Sequence, residues 1–210
     1  MLTSLNRLAN CLPWRVSNRP SKQLLYMWLA RDMRHLRGEI GLDAGCGDMG
    51  NRCYFRTSRY LGVEVDASRL EAALEKNRDE RVSGIVCRIE DLPATYQADA
   101  VLCVQATGGK HNDLASLTAL IDKLIALTKP GGSLIFNTGK KRLHDQFTAR
   151  LNEAFSNVTI RRSIDLSAYG LPKHVPIAFS ILLAYLVRAI PSMRRGSKFY
   201  FLCRNKRSRA

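Results

Sequence analysis

The sequence predicts an α/β domain built on a doubly wound, mostly parallel sheet of seven strands with helices on both faces. Three observations carry this. Short apolar strands alternate with helical segments along the chain. Apart from Asp99, the stretch Ala98–Val104 is continuously apolar, as a parallel strand is when helices cover both its sides. Glycines at 45, 47 and 50 follow the first strand directly, and an acid, Glu64, closes the second.

In order, Ser21 to Leu36 reads as a helix. Ser21 is its expected N-cap, Leu25, Trp28, Leu29 and Leu36 recur at helical spacing, and Gly38 stops it. Glu39–Ala44 is the first strand and Tyr60–Val65 the second. Ser68-Arg69-Leu70-Glu71 has the form of a capping box opening a helix to about Asn77. Gly84–Ile89 and Ala98–Val104 are strands three and four. A helix from about Asn112 to Thr128 places Leu117, Leu120, Ile121 and Leu124 on one side. Pro130-Gly131-Gly132 turns the chain into strand Ser133–Asn137. A helix over Leu143–Phe155, a strand over Val158–Arg162 and a last strand over Lys198–Arg204 complete the set.

The chain has 210 residues, 46% of them hydrophobic, enough to bury a core and too apolar for disorder. No apolar block reaches the ~18–20 residues that span a bilayer, which excludes a polytopic membrane protein. No repeat or linker divides the chain. Residues 21–210 read as one domain, with 165–197 an apolar and basic insertion before the last strand and 1–20 a basic lead-in. That lead-in has Leu2, Leu5 and Leu8 among arginines and no acid. It suits either an amphipathic helix or an organelle transit segment, and lacks a secretory apolar run.

The formal charge is +15, from 33 Lys and Arg against 18 Asp and Glu, and it is unevenly placed. Residues 1–37 carry seven bases and one acid, residues 38–139 eleven and fourteen, residues 140–210 fifteen and three. Basic flanks around a mildly acidic middle point to an anionic partner, a membrane surface or nucleic acid. The six cysteines include no CxxC pair and read as free thiols in a reducing, cytoplasmic setting. No cluster has metal-ligand spacing, so a metal-free reaction is expected.

The chemistry concentrates in Leu42-Asp43-Ala44-Gly45-Cys46-Gly47-Asp48-Met49-Gly50. Glycines there let the backbone turn tightly and approach a ligand where any Cβ would clash. Glu64, at the end of the next strand, is placed to accept hydrogen bonds from two ribose hydroxyls. A strand, a glycine loop and a following acid together indicate an adenosine-containing cofactor, either a dinucleotide or S-adenosylmethionine. Asp43 would repel a pyrophosphate and welcome an amino group, a helix precedes the first strand, and no base occurs in the loop before Arg52. These features favour S-adenosylmethionine.

The chain here resembles the class I S-adenosylmethionine-dependent methyltransferases, which share a Rossmann-like fold. The resemblance runs over about residues 22–140. It rests on the Asp43–Gly50 loop, Gly62-Val63-Glu64-Val65-Asp66, Arg88-Ile89-Glu90-Asp91-Leu92-Pro93, the Asp99–Val104 strand and Lys129-Pro130-Gly131-Gly132. It implies that Asp43 and the backbone of Ala44, Gly45, Cys46 and Gly47 hold the methionine end of the cofactor. It implies Glu64 on the ribose, Val65 packed on the adenine, and Ile89 with Glu90 or Asp91 at the adenine edge. Val104 and Gln105 would offer backbone. Two departures stand out: Met49 occupies the usual place of the third glycine, and Arg88 replaces an acid near the adenine.

Methyl transfer from a sulfonium is chiefly a matter of alignment, and a hydroxyl acceptor also needs a base. His111, in the loop after the fourth strand, is the candidate base; the alternative is a helix-start residue with no catalytic part. The strand ends Val104-Gln105-Ala106-Thr107, without the Asn/Asp-Pro-Pro-aromatic signature of base-amino methyltransferases. The expected acceptor is a small molecule or lipid.

Residues 176–191 form a short, almost wholly apolar helix followed by Arg194, Arg195 and Lys198. It reads either as a lid over an apolar substrate or as a helix lying in an anionic membrane interface, engaging it through 176–198. RNA is the rival partner, and a catalytically degenerate binding protein the rival function. The RNA reading is the weaker, because Phe199, Tyr200 and Phe201 fall in a core strand and are withdrawn from stacking.

Overall fold

The computed structural model describes residues 15–105, 114–138, 144–163, 174–189 and 199–208. Helix α1 (Pro20–Met33) precedes β1 (Ile40–Ala44), β2 (Arg59–Glu64), α2 (Ala67–Lys76), β3 (Val82–Val86) and β4 (Ala98–Cys103). Then come α3 (Leu114–Ala126), β5 (Thr128–Thr138), α4 (His144–Ala154), β6 (Phe155–Arg162), α5 (Ile177–Ala189) and β7 (Phe199–Lys206). The sheet has seven strands in the order β3-β2-β1-β4-β5-β7-β6. Strand β7 runs antiparallel to both neighbours and the other pairs are parallel, the architecture the sequence predicts. The chain builds outward from β1 to β3, then returns to β1's other side as β4. The carboxyl ends of β1 and β4 therefore part, and a crevice opens there.

Side chains alternate across the sheet with period two. Leu42, Ala44, Val101, Cys103, Leu134 and Phe136 face α3 and α4, meeting Leu117, Leu120, Ile121, Leu124, Phe147 and Leu151. Their neighbours Ala100, Leu102, Ile135, Tyr200 and Leu202 join the opposite core, with α1, α2 and α5.

Three local expectations shift. Arg19, not Ser21, is the N-cap of α1 and makes no side-chain cap, and Pro20 takes the first helical position. Proline has no N–H to leave unpaired and its φ is already helical. In α2 the cap is Asp66, which accepts the Arg69 N–H at 3.1 Å and the Ser68 hydroxyl at 2.7 Å. Ser68 thus supports the cap from inside the helix, where a carboxylate is the better partner for the helix start. Strand β5 begins at Thr128, ahead of Pro130-Gly131-Gly132, because its pairing with β4 steps from Ala98↔Thr128 to Ala100↔Ser133. The extra residues bulge out, with Gly131 at φ +75°.

Helix α1 is buried on nearly every side, including consecutive residues Leu24 to Leu29. The sheet holds one flank and α5 the other. Its one buried charge is Asp32, 2% exposed. Asp32 accepts from Arg31 Nε at 2.9 Å, from the Tyr200 hydroxyl at 2.9 Å and from the Arg161 guanidinium. The Arg161 guanidinium also stands over the Trp28 and Tyr200 rings. Burial pushes the Asp32 carboxyl upward, but the bonds from Arg161 and Arg31 outweigh it and hold the group below its usual range.

Arg161→Met should therefore cost about 3 kcal/mol, since it strands a buried carboxylate. Tyr200→Phe should cost about 1 kcal/mol, since the guanidinium remains. Urea denaturation checks both; equal costs would show that Arg161 is not the dominant partner. Because the folded carboxyl is depressed, Asp32's contribution is present above the unfolded value of 3.8. It is lost as pH falls below that.

Candidate active site

A cleft of about 870 Å³ lies at the carboxyl ends of the parallel strands. The ends of β1 to β4 contribute: Gly45, Cys46 and Gly47 after β1, Glu64 and Val65 at β2, Cys87 to Glu90 after β3, Val104 and Gln105 after β4. The volume is that of a cofactor-sized site.

The floor is backbone. The N–H groups of Gly45 and Cys46 both donate to the Val63 carbonyl, at 2.8 and 2.9 Å. Gly45 (φ 78°) and Gly47 (φ 56°) adopt left-handed conformations that glycine reaches without steric cost. A Cβ on Gly47 would stand 2.6 Å from the Arg69 guanidinium. The Gly47 N–H donates to Glu64 Oε2 at 2.9 Å, while Glu64 Oε1 accepts from Val65 and Asp66 N–H groups at 2.9 and 3.3 Å. An ionised carboxylate has about four acceptor positions, so Glu64 braces the loop and retains acceptor capacity. Beside it Val65 is 59% exposed.

Met49 has φ 55°, the left-handed backbone for which glycine is the usual choice. Its side chain is 2% exposed and fills the space over Gly62 next to Cys46 Sγ. The loop thus keeps a glycine-like path with a methionine in it.

Of the residues singled out from sequence, Asp43 and Ala44 lie behind the cleft lining and are fully buried. Asp43 accepts from the Tyr60 hydroxyl at 2.8 Å and from Asn51 Nδ2 at 3.5 Å; Asn51 does line the cleft. Burial pushes the Asp43 carboxyl up to about 7, against the Tyr60 and Asn51 hydrogen bonds. Burial, with Asp43 and Glu64 nearby, pushes the Cys46 thiol up to about 12, so it stays protonated. Of Glu90 and Asp91, only Glu90 lines the cleft; Asp91 is exposed in the turn Ile89–Asp91. Gln105 (φ 63°) turns the chain away from β4, its N–H donating to Asn137 Oδ1 at 2.8 Å. His111 lies outside the described residues, as do residues 1–14 and Arg194, Arg195 and Lys198.

Sequence reasoning placed Arg88 near the adenine and missed the cleft's other cations. The glycine loop lacks bases, yet Arg15, Lys22 and Arg69 reach the lining from elsewhere. Arg15 spans the loop. Its N–H donates to the Tyr54 hydroxyl at 3.0 Å, its guanidinium lies 3.7 Å from the Asp48 carboxylate, and it occupies the place a Gly50 side chain would take. Arg15 and Lys22 also stand over the Tyr26 ring, at 5.3 and 5.6 Å. The only available signal was the i, i+4 spacing of Lys22 and Tyr26 on α1.

A profile described as a methyltransferase domain matches residues 42–136. This span holds the glycine loop, Glu64 and the β4 rim. Residues 42–136 thus match a methyltransferase domain, and the sheet around them has the Rossmann-like fold of the class I S-adenosylmethionine-dependent methyltransferases. No curated relative matches the sequence. Among solved structures, the N-methyltransferase NodS from Bradyrhizobium japonicum WM9 aligns over 90% of this chain and 98% of its own, with TM-score 0.60 and 13% identity. A geranyl diphosphate methyltransferase solved in complex with SAM covers 90% of each chain, at TM-score 0.55 and 16% identity. An rRNA methylase from Streptococcus thermophilus covers 86% and 95%, at TM-score 0.54 and 12% identity. At such identities the likeness is one of fold.

The methyltransferase's cleft fits S-adenosylmethionine in its own chemistry. Gly45 and Gly47 leave backbone bare where a side chain would intrude, Glu64 has acceptor capacity, and the exposed Val65 offers an apolar surface for a flat base.

The buried acid makes a pH prediction. With its folded pKa raised from 3.8 to about 7, Asp43 binds more proton folded than unfolded between those values. Its contribution to stability therefore falls as pH rises through that window, by at most about 1.4 kcal/mol per pH unit. Asp43→Asn should flatten the decline in urea denaturation between pH 4.5 and 7.5. Identical pH slopes for the two proteins would show that Asp43 titrates normally.

Proposed function

We propose that this methyltransferase acts on a small-molecule or lipid-like acceptor. The observation that carries the reading is that one open cleft joins the glycine loop and Glu64 to a wall of Tyr26, Lys22 and Arg15. One side suits an adenosine cofactor, and the other offers an aromatic ring with two cations to an acceptor.

S-adenosylmethionine, when bound, supplies an electrophilic methyl group on a sulfonium. The rest is alignment by the protein. Glu64 takes the ribose hydroxyls, Val65 and Ile89 pack against the adenine, and Glu90 meets its edge. Val104 and Gln105 provide backbone groups on the β4 side. Gly45, Cys46 and Gly47 admit the methionine end, with Asp43 behind them favouring a cation through Asn51. Arg15, braced on Asp48 and Tyr26, is placed to hold a carboxylate. His111 is the proposed base for a hydroxyl acceptor. We place the enzyme in the cytoplasm.

RNA is a second reading because Arg15, Lys22 and Arg88 gather at the mouth of the cleft, as phosphate contacts would. Against it, Phe199, Tyr200 and Phe201 are buried, which withdraws their rings from base stacking. The degenerate-scaffold reading rested on Met49, and the loop's glycine-like path weakens it.

Calorimetry with S-adenosylhomocysteine tests the donor site. Glu64→Ala should weaken binding about 10- to 100-fold, the worth of one or two hydrogen bonds to a charged acceptor. Unchanged binding in that variant would remove Glu64 from the site. Mass spectrometry of lipid, small-molecule and RNA extracts from cells with and without the protein tests the acceptor. The expected difference is one methylene in the lipid or small-molecule fraction; a difference confined to RNA would replace our reading with the second.

A further inference from the structure

Helix α5 is apolar on both of its faces. Its buried side, against α1, consists of Ser180, Leu183, Ala184 and Val187. The opposite arc holds Ala178, Phe179, Leu182, Tyr185, Leu186 and Ala189, all exposed. Phe179 is 45% exposed and Leu182 53%. The helix turns Ser180 inward with Leu183 and Val187, where the hydroxyl has no hydrogen-bond partner among the described residues, and turns Phe179, Leu182, Tyr185 and Leu186 outward. A helix that only packed on α1 would carry polar residues on that outward arc. Of the eight large apolar side chains exposed among the described residues, five lie on this helix. Such clustering marks an interaction surface.

Charge selects the partner. The outward arc has no charged residue, and the helix has one, Arg188, at the arc's edge. Arg194, Arg195 and Lys198 follow in sequence, and residues 140–210 carry fifteen bases against three acids. A second copy of the chain would bring like charge against like. RNA would find no phosphate contact within the arc. An anionic lipid surface satisfies both features, apolar contact along the helix and cations next to it in sequence. At 13 residues, about 20 Å long, α5 is too short to cross a bilayer.

We infer that the outward face of α5, Phe179, Leu182, Tyr185 and Leu186, docks in the interface of an anionic membrane. Just before α5, the Val175 N–H donates to the Asn18 carbonyl at 2.9 Å, and Arg19 Nε donates to His174 Nε2 at 3.0 Å. The segment so tied down runs between Arg15 and Lys22, both in the cleft lining. The start of α5 is thereby tied to the cation-lined wall of the cleft. The inference concerns where the protein sits and does not depend on which acceptor it methylates.

Vesicle flotation of the full chain tests this. The protein should float with vesicles of phosphatidylglycerol and phosphatidylcholine and not with phosphatidylcholine alone. Leu182→Asp and Phe179→Asp should each reduce flotation about tenfold or more. Both should bind S-adenosylhomocysteine as the wild type does, because neither side chain lines the cleft. Absence of wild-type flotation would overturn the inference, as would flotation unchanged in both variants. A wild-type dimer that Leu182→Asp converts to monomer would assign the face to a second copy. Flotation without any S-adenosylhomocysteine binding would overturn the enzymatic reading and leave this one standing.

Discussion

The N–H groups of Gly45 and Cys46 converge on a single carbonyl oxygen, that of Val63. This shared acceptor ties the turn after β1 to the end of β2, and the cleft follows from it. With the loop pinned there, Gly47 comes within reach of Glu64, whose carboxylate then joins the loop to the first residues after β2. The path demands left-handed backbone at 45 and 47, and again at 49. At Met49 that conformation costs about 1 kcal/mol, while full burial of a methionine side chain contributes about 2 kcal/mol. Burial wins, and the loop tolerates a residue that its spacing alone would disfavour.

Directly behind this loop the protein keeps a fully buried acid among donors. Tyr60 is pushed well above its usual pKa by burial and by Asp43 beside it, so its hydroxyl remains a donor. Asp43 itself is poised near neutrality, and a positive charge entering the cleft favours its ionised form. Asp32 is the contrasting case. It is equally hidden, but two guanidinium groups hold it ionised as a structural tie between α1 and β6. The same residue type thus titrates in two different windows, separated by its partners.

The donor half of the site was legible in sequence because it is made largely of backbone and strand ends. Gly45, Gly47, Glu64, Val65, Ile89, Glu90, Val104 and Gln105 all line the cleft, and each sits within a few residues of a strand's end. Seven strands and their order of helices were legible for the same reason, as each rests on local periodicity. Caps were less so. Ser68 has the pattern of a cap, but Asp66 supplies a charge at the helix start and takes the position. The β5 boundary was illegible because its bulge is a property of pairing with β4. Asp43 was read as a contact residue, and only the burial of β1 shows it set behind the lining.

The other half was hidden because long-range packing builds it. Arg15 belongs to the stretch that reads as a basic lead-in and Lys22 to the helix that follows it, and nothing in their spacing points to the glycine loop. They arrive there because α1 is buried between the sheet and α5, held by Trp28 on Tyr200 and by Asp32 on Arg161. The Tyr54 hydroxyl then seats Arg15 over Gly50, where any larger residue would block the guanidinium. Net charge could not reveal this, since it counts Arg15 with the basic flank. In the fold, that arginine lies across the glycine loop, within the mildly acidic middle of the chain, and faces Asp48. The division between a neutral core and charged flanks is therefore one of sequence, and the cleft is where the two are joined.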